Sequence, residues 1–202
     1  MRIICTQVYG FDGKEVYFQA AKNSSVERQI YAVNLKGEMR TLINKVGVNN
    51  ARFSSNFKYL ININSTVDQP YQYVLFDNKG KQVRVLEDNQ EFAERMKEYN
   101  LAKKELVTIT DPAFVLPDGT QLEMETWRIL PPDFDPNKKY PVLIYVYGGP
   151  GHQTVMNSWN HSDYDWMQIL AQNGIICVSI NNRGGGARGQ EFKKMTYQQL
   201  GK

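Results

Sequence analysis

The sequence has few of the residues that metal sites and disulfide frameworks need. Among its 202 residues are two cysteines, Cys5 and Cys177, and two histidines, His152 and His161. None of them lies in a Cys-x-x-Cys or His-x-x-x-His pattern, which argues against a metal centre. Cys177 lies in the apolar run IICVSI, where a small buried side chain is expected.

Long apolar runs and blocks of like charge are also absent. No stretch of 18 apolar residues occurs, so no membrane-spanning segment is expected. The opening MRIICTQVYG lacks the basic segment and apolar core of a signal peptide, so the signal of an exported parent protein would lie upstream. The formal net charge is +3. Without a run of five like charges, there is no electrostatic case for a nucleic-acid or membrane partner.

The first 87 residues have an all-β pattern that repeats. Short β-branched and aromatic runs alternate with turn residues. The segment from Tyr31 to Leu42 resembles that from Tyr73 to Leu86, and Asp12-Gly13-Lys14 is echoed by Asn56-Phe57-Lys58. The offsets of about 42 to 44 residues match the period of four-stranded propeller blades, which is roughly 40 to 45 residues. We therefore predict two blades over 1–87, with two unrelated hairpins as the simpler alternative.

A helical connection is predicted over 88–104. Asp88 and Glu91 resemble a capping box, and Phe92, Met96 and Tyr99 follow at helical spacing. From residue 105 the strands ELVTIT and QLEMETWRIL, joined by a turn at Pro117-Asp118-Gly119, predict a β-hairpin.

The rest of the predicted domain 105–202 has the pattern of a strand, a helix and a parallel strand. The apolar run YPVLIYVYGGP predicts a buried strand. A helix follows that is capped at Ser162, carries Trp166, Ile169 and Leu170, and ends at Gly174. The run IICVSI then predicts the parallel strand.

Four segments, in this order, resemble the prolyl oligopeptidase family. They are RVLEDN at 84–89, ILPPDFDPNKKYP at 129–141, VYGGP at 146–150 and NNRGGGARG at 181–189. The first two are most similar to its dipeptidyl peptidase IV branch. The resemblance implies the last blades of a β-propeller followed by the amino-terminal portion of an α/β-hydrolase domain, both incomplete in this chain.

The same resemblance implies the activity of the parent protein. Members of the branch are serine exopeptidases that release amino-terminal dipeptides with proline or alanine second. Their partners are peptide substrates with a free amino terminus, and they need no cofactor or metal. Whether the parent protein forms a homodimer is left open.

The catalytic triad is not expected in this sequence. An α/β-hydrolase carries its nucleophile in a G-x-S-x-G elbow, with the acid and the histidine later in the chain. The sequence contains no G-x-S-x-G. His152 and His161 come too early to be the base, and Ser162 is better explained as a helix cap. We expect the chain alone to be inactive.

Tyr147 is the candidate catalytic residue by resemblance. It matches the family tyrosine whose hydroxyl donates to the oxyanion, and it is predicted to end an apolar parallel strand, where α/β sheets place their sites. A phenol is protonated at neutral pH and can donate to charge that develops in the tetrahedral intermediate. The alternative is a packing tyrosine, with Tyr145 as internal control because strand alternation should place it on the same face.

Short patterns in the sequence allow three other interpretations. Gly184 to Gly189 satisfies G-x-G-x-x-G, but three residues separate it from the preceding strand, which weakens a dinucleotide-binding interpretation. Glu123 and Glu125 share one strand face and are expected to be solvated charges rather than a glycosidase pair. A non-catalytic binding module stays open until the missing nucleophile region is known.

Overall fold

The computed structural model describes residues 3–115, 119–159 and 163–199. The chain folds into two compact units. Unit 1 comprises Met1–Met96 with Met156–Trp159, and unit 2 comprises Lys97–Val155 with Asn160–Lys202. The predicted Ser162 cap, His161 and the Pro117-Asp118 part of the predicted turn lie outside the described residues. No helix in the described part of the chain is long and apolar enough to cross a membrane.

Unit 1 contains two four-stranded antiparallel sheets, as predicted for two propeller blades. Each sheet follows chain order, so neighbouring strands are joined by short turns. The first sheet is β1 Ile4–Phe11, β2 Glu15–Ala21, β3 Gln29–Asn34 and β4 Met39–Ile43. The second is β5 Val48–Phe53, β6 Tyr59–Ser65, β7 Gln72–Asp77 and β8 Gln82–Glu87.

The sequence repeat corresponds to a repeated turn between the third and fourth strands of each blade. In the first blade, Asn34 Oδ1 accepts from the backbone N–H groups of Lys36 and Glu38, at 2.9 and 3.0 Å. In the second, Asp77 Oδ1 accepts from the equivalent two residues, at 2.9 Å each. Gly37 and Gly80 supply the left-handed backbone, with φ of 85° and 84°. The same local chemistry therefore closes both hairpins.

The turns between the first and second strands are also equivalent. The side chains of Asp12 and Asn56 each accept from the backbone N–H two residues later, at 2.8 and 3.1 Å. The left-handed position is Gly13 in the first blade and Phe57 in the second. Phe57 keeps this unusual conformation while its ring stacks on Tyr17, with centroids 5.1 Å apart.

The core of unit 1 lies between the two blades. Its buried apolar cluster draws on both sheets: Tyr17, Ile30, Ala32, Leu42 and Ile43 from the first, and Ala51, Leu60, Val74 and Phe76 from the second. Polar contacts also join the blades. Gln19 Nε2 donates to the Asn49 carbonyl at 2.7 Å, and Arg40 bridges Glu15, at 2.6 Å, to the Asn78 carbonyl, at 2.7 Å.

Helix α1, Gln90–Met96, follows the second blade where a helix was predicted. The backbone N–H of Gln90 donates to Asp88 Oδ1 at 3.1 Å. The helix ends at Met96, so Tyr99 is outside it, and no residue of α1 is buried. Phe92 nevertheless makes an edge contact with Trp159, at 6.4 Å between ring centroids.

Residues Met156–Trp159 belong to unit 1 although the sequence placed them in the second domain. Asn157 accounts for this placement. Its backbone N–H donates to Val26 O at 2.8 Å, its carbonyl accepts from Val48 N–H at 3.1 Å, and its side chain donates to Glu27 at 3.1 Å.

Unit 2 is a four-stranded mixed sheet with the order β11-β12-β10-β9. Its strands are β9 Lys104–Val115, β10 Gln121–Ile129, β11 Val142–Tyr145 and β12 Ile176–Ile180, and its helices are α2 Tyr164–Gln172 and α3 Gln190–Lys194. β9 and β10 form the predicted antiparallel hairpin, and β11 and β12 the predicted parallel pair. Two blades followed by this sheet confirm the predicted fold class.

The buried face of α2 differs from the one that its apolar residues suggested. Trp166 and Ile169 are 52% and 61% exposed. The buried residues are Tyr164, Met167, Gln168 and Ala171, which recur at i, i+3, i+4 and i+7. Gln168 can be buried because it exchanges two hydrogen bonds of 2.8 Å with the backbone of Ala102.

Candidate functional site

Tyr147 lies on the loop that leaves the carboxyl end of β11. The strand ends at Tyr145, two residues earlier than predicted. The reason is the register, since Tyr145 pairs with Ser179 and β12 ends one residue later. The pleat therefore does not extend to Tyr147, so the strand alternation used to relate it to Tyr145 does not apply there. Tyr147 is 65% exposed and Tyr145 is 37% exposed.

Glycines shape the backbone beside the phenol. Gly148 and Gly151 have φ of 75° and 77°, a conformation that favours glycine. Gly149 lies against the Tyr147 ring, where an added Cβ would stand 2.6 Å from Cε1. The Tyr147 ring also packs on the His152 imidazole, with centroids 4.0 Å apart and planes inclined at 35°. The loop thus turns sharply and holds two rings together.

Asn181 joins this loop to the one that follows β12. It is buried, and its Oδ1 accepts from the backbone N–H groups of Thr154 and Val155 at 3.1 and 3.0 Å. Its Nδ2 donates to the Val155 carbonyl at 2.8 Å. Ser179 Oγ also donates to Thr154 Oγ1 at 2.7 Å. Side chains at the end of β12 therefore fix the course of the loop after β11.

The glycine run at Gly184 to Gly189 continues the same packing. The N–H groups of Gly184, Gly185 and Gly186 donate to protein carbonyls, those of Phe192, Asn182 and His152, at 3.1 Å each. An added Cβ on Gly184 would stand 2.4 Å from Thr196 Oγ1, and one on Gly186 would stand 2.7 Å from Gly151 O. These N–H groups are used within the protein, which argues against a phosphate cradle and a dinucleotide site.

Arg188 contacts both of the acidic residues of β10 that the sequence singled out, Glu123 and Glu125. Its guanidinium lies 4.1 Å from the centroid of the Phe192 ring and 3.5 Å from Glu125 Oε2, and it donates to the Glu123 carbonyl. Glu123 is exposed as expected. Glu125 is not a solvated charge, because its side chain is 23% exposed and paired with Arg188. The pair therefore anchors the glycine loop to the sheet.

Of the residues that the sequence singled out, the structure brings Tyr147 and His152 together. The sequence excludes His152 as the catalytic base and does not predict its contact with Tyr147. Asn181 was missed as an organising residue. The sequence did contain a signal for it. Asn181 directly follows an apolar parallel strand, and polar side chains at the carboxyl ends of such strands lie at the sheet edge where sites form. Cys177 is buried as predicted, and Cys5 is exposed.

Comparison with known proteins gives two family matches in chain order. Residues 3–71 match the dipeptidyl peptidase IV N-terminal region, and residues 160–202 match the prolyl oligopeptidase family. The dipeptidyl peptidase 4 of Trichophyton rubrum is 33% identical over 194 residues, covering 93% of this chain and 24% of that protein. A probable dipeptidyl-aminopeptidase B of Sclerotinia sclerotiorum is 35% identical over 193 residues, covering 92% and 20%.

Solved structures agree with these matches. The crystal structure of Porphyromonas gingivalis dipeptidyl peptidase 4 aligns over all of this chain and 28% of its own, with a TM-score of 0.87 and 38% identity. That of a putative dipeptidyl aminopeptidase IV from Bacteroides ovatus has a TM-score of 0.80, 31% identity and the same coverage. The chain spans about a quarter of the length of such relatives. Its two family matches, sequence relatives and structural neighbours together identify it as a dipeptidyl peptidase IV-like fragment of the prolyl oligopeptidase family.

Proposed function

We propose that the chain is part of a serine exopeptidase that releases amino-terminal dipeptides, with proline or alanine second, from peptides with a free amino terminus. The order of its parts carries the proposal. One chain joins propeller blades to the first strands of a hydrolase sheet, and its relatives with the same order are named dipeptidyl peptidases. The serine, the acid and the histidine would come from sequence outside this chain.

Tyr147 would donate its hydroxyl hydrogen to the substrate oxygen that becomes negative in the tetrahedral intermediate. Its exposure on a loop at the carboxyl end of β11 supports this role, because α/β sheets place their sites there. Gly148 and Gly149 carry no side chain that would crowd a substrate carbonyl. A donor aimed at charge that develops only in the transition state accelerates the chemical step without tightening substrate binding.

The test is the Tyr147→Phe variant of the full-length protein, assayed on a Gly-Pro chromogenic substrate. Removing one oxyanion donor should lower kcat by roughly 10²- to 10³-fold, or about 2.7 to 4 kcal/mol, with little change in KM. Tyr145→Phe is the matched control and should retain turnover. Near-full turnover of a folded Tyr147→Phe enzyme would make Tyr147 a structural residue. A folded wild-type protein without turnover would instead favour a non-catalytic binding module.

A further inference from the structure

The strand ladder does not orient the phenol of Tyr147. β11 ends two residues before it, and the residue after it, Gly148, has a left-handed backbone. Its side chain is 65% exposed, so burial restrains it little. A hydroxyl that stabilises a transition state must nevertheless be held within a fraction of an ångström of its working position. Another group has to restrict the ring.

The His152 imidazole is placed to do so. Its ring centroid lies 4.0 Å from that of Tyr147, a close tilted contact. The backbone of Gly149 lies against the same phenol ring. Tyr147 therefore has ring and backbone contacts that limit its rotation about the Cα–Cβ and Cβ–Cγ bonds.

The backbone of His152 is itself fixed by the loop after β12. Its carbonyl accepts from Gly186 N–H at 3.1 Å, and the preceding residue, Gly151, donates its N–H to Gly184 O at 2.8 Å. Two residues later, Thr154 N–H donates to the buried Asn181 side chain at 3.1 Å. The backbone that carries the imidazole is thus held by the loop that follows β12.

We propose that His152 is a positioning residue for the reaction, acting through Tyr147 and not as the catalytic base. This inference rests on the proposed role of Tyr147 as oxyanion donor. The imidazole ring serves as a rigid surface that holds the phenol in the orientation from which its hydroxyl reaches the reacting carbonyl oxygen. Because a flat ring is all that this positioning requires, another aromatic side chain at residue 152 should be able to take its place.

The experiment is a double-mutant cycle in the full-length enzyme, with kcat and KM measured for each variant. His152→Ala should lower kcat by roughly 3- to 10-fold, the range that an aromatic pair contributes, and leave KM unchanged. His152→Phe should retain most of kcat. In the Tyr147→Phe background, His152→Ala should have almost no further effect, because the hydroxyl that it orients is gone.

Each other outcome overturns the inference. Full turnover of His152→Ala means that the ring is not needed, and equal losses in His152→Ala and His152→Phe mean that ring packing is not its role. Additive losses in the double variant mean that His152 acts independently of Tyr147. The Tyr147→Phe variant by itself tests the proposed function: if it retains turnover, the oxyanion role fails. If Tyr147→Phe loses most of its turnover while His152→Ala keeps a normal kcat, only the positioning role is refuted. Because His152 is exposed, these variants should fold, and their melting temperatures check this.

Discussion

At the scale of single residues, Lys104 is an amine in an unusual place. It begins β9 and is 6% exposed, with its Nζ 5.5 Å from the centroid of the Trp127 ring. The face of the Trp127 ring attracts the ammonium and offsets part of the cost of burying its charge. Burial still disfavours the charged form and lowers the pKa of Lys104 to about 8.

The lowered pKa predicts how stability depends on pH. An unfolded lysine has a pKa near 10.4, so between about pH 8 and 10.4 the unfolded state binds more protons, and the contribution of Lys104 to stability rises with pH. Lys104→Met should abolish this rise and stabilise the protein at neutral pH, by about 3 kcal/mol at most. Melting temperatures of the full-length protein from pH 7 to 10 would measure it.

The neighbouring Lys103 is the control, because it is exposed. Lys103→Met should leave the pH dependence unchanged. If Lys103→Met and Lys104→Met behave alike, the buried amine is not the cause.

At the scale of elements, the repeated hairpin turns offer a matched pair of glycines. Gly37 and Gly80 occupy equivalent positions with nearly equal φ. An added Cβ on Gly37 meets nothing within 4 Å, whereas one on Gly80 would stand 2.5 Å from the Leu42 carbonyl oxygen of the first blade. The two positions share backbone strain and differ in packing.

Gly80→Ala should therefore destabilise the protein more than Gly37→Ala. The left-handed conformation alone costs roughly 1 to 2 kcal/mol for an alanine, and this applies to both. Gly80→Ala must in addition push the second blade's turn away from Leu42. Thermal melting of the two full-length variants would show the difference, and equal shifts would mean that the turn does not pack on the first blade as described.

At the scale of the whole molecule, the chain exposes apolar groups that a stable domain would cover. Val142 and Ile144 of β11 are 54% and 59% exposed, and Trp166 and Ile169 of α2 are similarly uncovered. The second blade ends in β8, all six residues of which are exposed. Exposed strand edges and apolar faces favour association with other chains.

We expect the isolated chain to unfold without a sharp two-state transition and to aggregate. It should also hydrolyse no Gly-Pro substrate and show no labelling by a serine-directed phosphonate, because its sequence has no G-x-S-x-G. Calorimetry, size-exclusion chromatography and a peptidase assay on host-peptidase-free material would test this. A monodisperse monomer with a cooperative melt, or labelled and active material, would contradict the prediction.

The sequence by itself determined the two blades, the hairpin, and the strand, helix and parallel strand that follow. These depend on neighbouring residues, such as the Asn34 and Asp77 side chains that close equivalent turns, and on apolar spacing. By resemblance to the family, the sequence also indicated Tyr147 as the candidate oxyanion donor.

Only the tertiary structure decided which face of α2 is buried, where β11 ends, and that His152 meets Tyr147 and Arg188 meets Glu125. Each of these outcomes depends on packing that local sequence patterns do not contain. The end of β11 follows from its register with β12, whose pairing is more than 30 residues away. The His152 contact likewise depends on Asn181 and Gly186 holding the loop, because a side chain's surroundings are set by whichever distant segments the fold brings to it.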